Sequence, residues 1–93
     1  MNSDKFKQSF LIINEKGLHT RPATELVKCA QRFKSKVSLH HQGVEVNAKS
    51  VLEILMLAAT SGSRIEIEAQ GEDAAAAVNA VILLASNKFN IHY

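Results

Sequence analysis

The chain is poor in cysteine, proline and aromatic residues and has no excess of charge of either sign, and each shortage removes a class of protein. Its single cysteine, Cys29, excludes an internal disulfide and any CxxC redox or metal pair, and fits a reducing compartment such as the cytoplasm. Eleven basic residues against nine acidic ones leave a formal net charge of +2, scattered along the chain, so no concentrated field exists to hold a nucleic-acid backbone. The longest apolar run, Ala80 to Ala85, falls far short of the roughly 20 residues that span a bilayer. Met1 to Phe10 is polar and lacks the apolar centre of a signal peptide, so the sequence directs neither export nor membrane insertion.

Hydrophobic residues make up 46% of the 93 and charged residues 22%, with no long polar tract, so the whole chain, 1–93, is expected to fold as a single domain. A domain of this size buries only about 60 to 65% of the surface its unfolded chain exposes. A large enclosed active site is not expected.

Ser-Phe-Leu-Ile-Ile, within Lys7 to Asn14, reads as a strand closed by the turn-forming Asn14-Glu15-Lys16-Gly17. From about Thr20, Ala23, Leu26, Val27, Ala30 and Phe33 recur at helical spacing, and the only proline, Pro22, suits a first helical turn. Val37, Leu39 and His41, then Val44 and Val46, alternate with polar residues on either side of Gln42-Gly43, the pattern of a hairpin. Ser50 to Ala59 predicts a second helix, Ile65, Ile67 and Ala69 a fourth strand, and Gly71-Glu72-Asp73 a turn with Asp73 as N-cap. The last helix is expected from about Ala74 to Lys88, with Val78, Val81, Ile82, Ala85 and Phe89 inward, and Asn90 to Tyr93, including His92, as a frayed tail. The order β-α-β-β-α-β-α is an α+β, split βαβ arrangement with helices on one face of a four-stranded sheet and solvent on the other.

Gly17-Leu18-His19-Thr20-Arg21-Pro22 places an imidazole and a guanidinium at the mouth of the first helix. Helix N-termini attract anions, arginine supplies donors matched to phosphate, and an imidazole nitrogen can accept and release a group reversibly. Gly17 lets the chain turn so that the ring faces a partner. The plain structural alternative makes His19 a flanking residue, Arg21 a solvated charge and Pro22 a helix start, and on spacing alone it stands first.

The segment Gly17 to Ala23, followed by Leu26-Val27-Lys28, closely resembles the phosphorylation-site signature of HPr, the histidine-containing phosphocarrier of the bacterial sugar phosphotransferase system. Asn47-Ala48-Lys49-Ser50 and Gly71-Glu72-Asp73 extend the resemblance over nearly the whole chain. The resemblance implies an open-faced β-sandwich with antiparallel strand order 1-4-2-3. It also implies that His19 is phosphorylated at Nδ1 by enzyme I, drawing on phosphoenolpyruvate, that Arg21 steadies the phosphate, and that enzyme IIA domains are the acceptors. A carrier of this kind is expected to be monomeric, to complete a half-reaction with each partner without turning over a small molecule of its own, and to need no metal or organic cofactor.

Ser50-Val51-Leu52-Glu53 fits a capping box, in which Ser50 caps the helix and Glu53 reaches back. In some HPr relatives the matching serine is a regulatory site for HPr kinase/phosphorylase. A phosphate at a helix N-terminus is electrostatically favoured, with Lys49 helping and Glu53 opposing. The regulated forms resemble one another in having a small residue where this chain has Glu53, a departure from the pattern.

The second helix holds more apolar residues than one buried face needs, so a docking patch near His19 is expected. By resemblance, Gly17, Thr20, Leu52, Leu55 and Met56 belong to that surface, where adaptable methionine suits several partners. His40 and His41, adjacent on a strand, point to opposite faces and do not form a chelating pair. Cys29 is expected to pack beside the inner face of the first helix rather than react. An RNA-binding sheet would want aromatics that the third and fourth strands lack, and a metal-carrying domain would want a cysteine pair before the first helix. A paralogue serving a nitrogen-related or signalling branch is the alternative reading.

Overall fold

The computed structural model describes residues 4–91, so His92 and Tyr93 lie outside the described residues. Strand β1 (Lys5–Leu11) leads to helix α1 (Thr20–Ala30), the hairpin β2 (Lys36–His41) and β3 (Val44–Asn47), helix α2 (Val51–Met56), strand β4 (Arg64–Gln70) and helix α3 (Ala74–Ser86). The four strands pair antiparallel in the order β1-β4-β2-β3, with the three helices on one face.

Alternation creates the core. Ile65, Ile67 and Ala69 of β4 face Phe10 of β1 and Val37 and Leu39 of β2 through direct cross-strand register, and all are buried. Ala23, Leu26, Val27 and Ala30 of α1, with Ala74, Ala77, Val78, Val81 and Ala85 of α3, close over that face. Each wholly buried leucine or isoleucine contributes about 1.5–3 kcal/mol. Alanine on both helices keeps them close to the sheet. The β2–β3 turn is carried by Gln42 and Gly43, both with positive φ (50° and 81°), the geometry that matches strand twist in a two-residue hairpin.

Several boundaries differ from expectation. Strand β1 ends at Leu11: the Ile12 amide still donates in register to Ser63 O, but Ile12 O accepts from Gly62 instead of Ser63, whose amide turns back to Thr60 O. Helix α2 is six residues long and stops at Met56: the Leu57 and Ala58 amides bond three residues back, to Ile54 O and Leu55 O, and Ala58 takes a left-handed φ of 50°. Phe33 and Phe89 lie beyond α1 and α3 rather than on them. Phe89 has a φ of 53° in a short 3₁₀ turn, Lys88–Asn90, and is buried edge-on against Phe10, ring centroids 6.1 Å apart. The segment from Asn90 does not fray at its start, since Ile91 is buried. Val44 is exposed at the free edge of β3 while Val46 is buried.

Asp73 precedes α3, but its side chain makes no capping bond. Its carboxylate accepts instead from the amides of Lys34 and Ser35, both at 2.9 Å, and from the Ser35 hydroxyl, fastening the start of α3 to the start of β2. The Ser35 hydroxyl above all, with the Lys34 and Ser35 amides, holds the Asp73 carboxyl below its ordinary range.

Candidate functional site

His19 is the N-cap residue of α1, with extended backbone (φ −83°, ψ −168°), and its carbonyl accepts the first helical bond from the Ala23 amide at 3.0 Å. Its imidazole makes no capping bond, so capping is not its role. The positive end of the α1 dipole begins at this residue, with no acidic residue in the first turn to offset it. Pro22, buried in that turn, presets the backbone and takes no amide out of hydrogen bonding.

The loop before His19 is fixed from both sides. Gly17 donates to Asn14 O at 3.0 Å and Leu18 to Ala59 O at 2.9 Å, so the segment leaving α2 supports the one presenting His19. Gly17 has a φ of +73°, and a β-carbon there would stand 2.4 Å from Ala59 O; only glycine lets these backbones approach. Asn14, buried, donates through Nδ2 to Lys88 O at 2.9 Å, which ties the loop to the turn after α3.

His19 lines a small cleft with Asn14, Glu15, Lys16, Lys88 and Ile91. Arg21 lines an adjoining one with Thr24, Glu25, Asn90 and Ile91. Both clefts are lined by Ile91. Lys16 and Lys88 line the His19 cleft together with the oppositely charged Glu15, a lining the sequence reading missed. Lys16 could have been noticed from its nearness in sequence, whereas Lys88 arrives only through folding.

Half-buried His19 borders a very small, partly enclosed cleft. Thr20 and Arg21 are exposed. On α2, Leu52 and Met56 are 77% and 72% exposed, one helical turn apart, while Ile54 is fully buried and Leu55 half-buried against the core. Helix α2 packs against α1, and Leu52 and Met56 form an exposed apolar ridge on it. Leu55 belongs more to the core than to that ridge.

Ser50 is the N-cap of α2 and its Oγ accepts from the Glu53 amide at 3.3 Å. The expected capping box is only half formed, because Glu53 Oε1 accepts from the Asn47 amide at 2.9 Å and the Ser50 amide donates to Asn47 O. Lys49 does not turn to Ser50 either: its Nζ donates to Phe33 O at 2.8 Å. Cys29 is half-buried, and desolvation pushes its thiol up against the opposing influence of Arg32, which fits a packing role. His40 and His41 lie on opposite faces of β2.

Residues 6–87 match a family model described as the PTS HPr component phosphorylation site. A phosphocarrier protein HPr of Treponema pallidum is 41% identical over 78 residues, covering 84% of this chain and 89% of the relative. That of Xylella fastidiosa is 37% identical over 84 residues, covering 90% and 94%. The crystal structure of HPr-C-His from Thermoanaerobacter tengcongensis superposes with a TM-score of 0.89 at 32% identity, covering 95% of this chain and 99% of that one. Among the described residues no helix is long and apolar enough to cross a membrane.

Proposed function

The chain belongs to the HPr family of phosphocarriers of the phosphotransferase system, and from that premise we propose that His19 is the residue that carries the phosphoryl group. The observation that supports this most is the position of His19: the half-buried N-cap of α1, its imidazole not used in capping, in a small cleft that Lys16 and Lys88 also line.

In the forward step a bond forms between His19 Nδ1 and phosphorus as the bond from phosphorus to the donor group on phosphorylated enzyme I breaks. In the onward step the Nδ1–phosphorus bond breaks as an acceptor group on an enzyme IIA domain bonds to phosphorus. No water takes part, so the transfer potential of phosphoenolpyruvate is kept. The phosphoryl oxygens carry spread negative charge through such transfers, and charge placed beside them is the main help a protein can give. In this reading that help comes from the α1 dipole, with Arg21 steadying the phosphate and Lys16 and Lys88 lining the His19 cleft.

The exposed ridge of Leu52 and Met56, with Thr20, is the docking surface for both partners in this reading, and Gly17 sets the approach of the loop. The protein acts as a monomeric single domain in the cytoplasm. The relatives being phosphocarrier proteins HPr supports a carrier over a purely signalling paralogue. Ser50 is the regulatory position. A kinase of the HPr kinase/phosphorylase type would have to place phosphate beside Glu53, whose carboxylate is anchored on Asn47, so Glu53→Ala is expected to make Ser50 the better substrate.

The carrier reading is tested by incubating the protein with phosphoenolpyruvate and enzyme I and measuring intact mass. An acid-labile phosphate that moves on to an enzyme IIA domain and is absent from His19→Ala is the expected result. No gain with an enzyme I that phosphorylates another carrier would refute it.

A further inference from the structure

The sheet face turned away from the helices holds a group of side chains that the phosphocarrier reading does not use. Cross-strand register sets His40 of β2 between Glu66 of β4 and Glu45 of β3, and Glu68 follows Glu66 on the same face of β4. The alternation that buries Leu39, Ile65 and Ile67 against the helices turns these residues to the open side. One ligand atom from each of His40, Glu66 and Glu68 lies within 4.8 Å of the others, and all three residues are half-buried.

Two details set this trio apart from an ordinary surface ion pair. His40 Nε2 is 3.2 Å from Glu68 Oε1, yet the nitrogen atom is shut off from solvent and makes no hydrogen bond, because the carboxylate lies off the ring's donor line. Lys5 Nζ holds the other oxygen, Glu68 Oε2, at 3.1 Å, leaving Oε1 turned towards the histidine. A carboxylate fixed through one oxygen by a neighbour, with the other presented beside an imidazole nitrogen, is the supported arrangement that metal ligands have.

The geometry points to a divalent cation site of the zinc class formed by His40 Nε2, Glu66 and Glu68 Oε1. Zinc bonds to nitrogen and oxygen are about 2.0–2.2 Å, which separates adjacent ligands by roughly 3.3–3.5 Å in a tetrahedron. The His40–Glu68 spacing of 3.2 Å already matches. Glu66, on a flexible side chain, has only about 1.5 Å or less to close from the 4.8 Å limit. Three protein ligands leave a fourth position for water or for Glu45. The imidazole selects zinc and its neighbours over magnesium and calcium, which prefer oxygen alone. The site is separate from His19 and does not depend on phosphotransfer.

Chelator-stripped full-length protein is titrated with zinc chloride by calorimetry, while the imidazole nitrogens are followed by NMR. One equivalent is expected to bind with a dissociation constant tighter than about 100 μM. The His40 Nε2 resonance should move, and His40→Gln and Glu66→Gln should each weaken binding tenfold or more, whereas His41→Ala leaves it unchanged. Binding weaker than about 1 mM, zinc-induced shifts at another histidine in place of His40, or displacement by equimolar magnesium would each overturn the site. The NMR measurement on the unsubstituted protein decides the matter even where a variant fails to fold.

Discussion

Replacing Gly17 with alanine separates two costs that the structure assigns to this position. An L-residue in the left-handed region costs about 1–2 kcal/mol, and about 0.4–1 kcal/mol of that is offset because alanine restricts the unfolded chain. Gly43 provides the control: its φ of +81° is similar to the +73° of Gly17, but a β-carbon there meets nothing within 4 Å. Gly43→Ala is therefore expected to destabilise by about 0–1.6 kcal/mol. At Gly17 the new carbon would stand 2.4 Å from Ala59 O and 3.0 Å from the Thr60 Cα, backbone atoms that cannot swing aside as a flexible side chain does. Forcing the segments apart lengthens the Leu18–Ala59 hydrogen bond, and overpacking of this kind adds about 1–3 kcal/mol. The difference between the variants should thus be about 2 kcal/mol, which in urea, at a slope of about 1 kcal/mol per molar for a small domain, is a gap of about 2 M between midpoints. Because the displaced segment carries His19, Gly17→Ala should also slow phosphate acceptance from enzyme I, while Gly43→Ala should not. Equal midpoints for the two variants would refute the claim that backbone contact with Ala59, rather than the sign of φ, demands glycine at position 17.

Asp73 gives a prediction with pH. Its folded-state carboxyl titrates below the ordinary value of 3.8, so the unfolded chain binds the proton more readily; the stabilisation is full above that value and is lost as pH falls through the folded one. Urea midpoints should accordingly drop below about pH 4, and Asp73→Asn should lower the midpoint at neutral pH and flatten that part of the profile; a parallel profile in the variant would exclude the residue as a source of acid sensitivity. Leu52 and Ile54, two residues apart on α2, should respond in opposite ways. Ile54→Ala, at a fully buried position, is expected to cost about 2–5 kcal/mol in denaturation. Leu52→Ala should change stability by no more than about 0.5 kcal/mol yet raise the KM for enzyme I, and an unchanged KM would remove Leu52 from the docking surface.

Local pattern carried most of the fold. The alternation of Ile65, Ile67 and Ala69, the three-to-four spacing of Ala23, Leu26, Val27 and Ala30, and the Gln42-Gly43 turn are each set by neighbours within a few residues, and each appears where the spacing placed it. Strand order came only through family resemblance, because hydropathy says which face of a strand is buried and nothing about which strand lies beside it. Boundaries drifted wherever another partner competed with the expected one: β1 ends where Ile12 O accepts from Gly62 and the Ser63 amide turns to Thr60 O, and Glu53 accepts from the Asn47 amide rather than that of Ser50.

By itself, then, the sequence determined the element order, the buried faces, and the placing of His19, Arg21 and Ser50 at helix starts, since all of these follow from spacing along one segment. Tertiary structure decided what surrounds them. Lys88 reaches the His19 cleft through the turn after α3, Asp73 becomes an anchor for β2 instead of a helix cap, and His40 finds Glu66 and Glu68 only because β4 pairs with β2. Such contacts join residues tens of positions apart, and hydrogen-bond register and packing between separate elements set them, neither of which is written in the periodicity of any one segment.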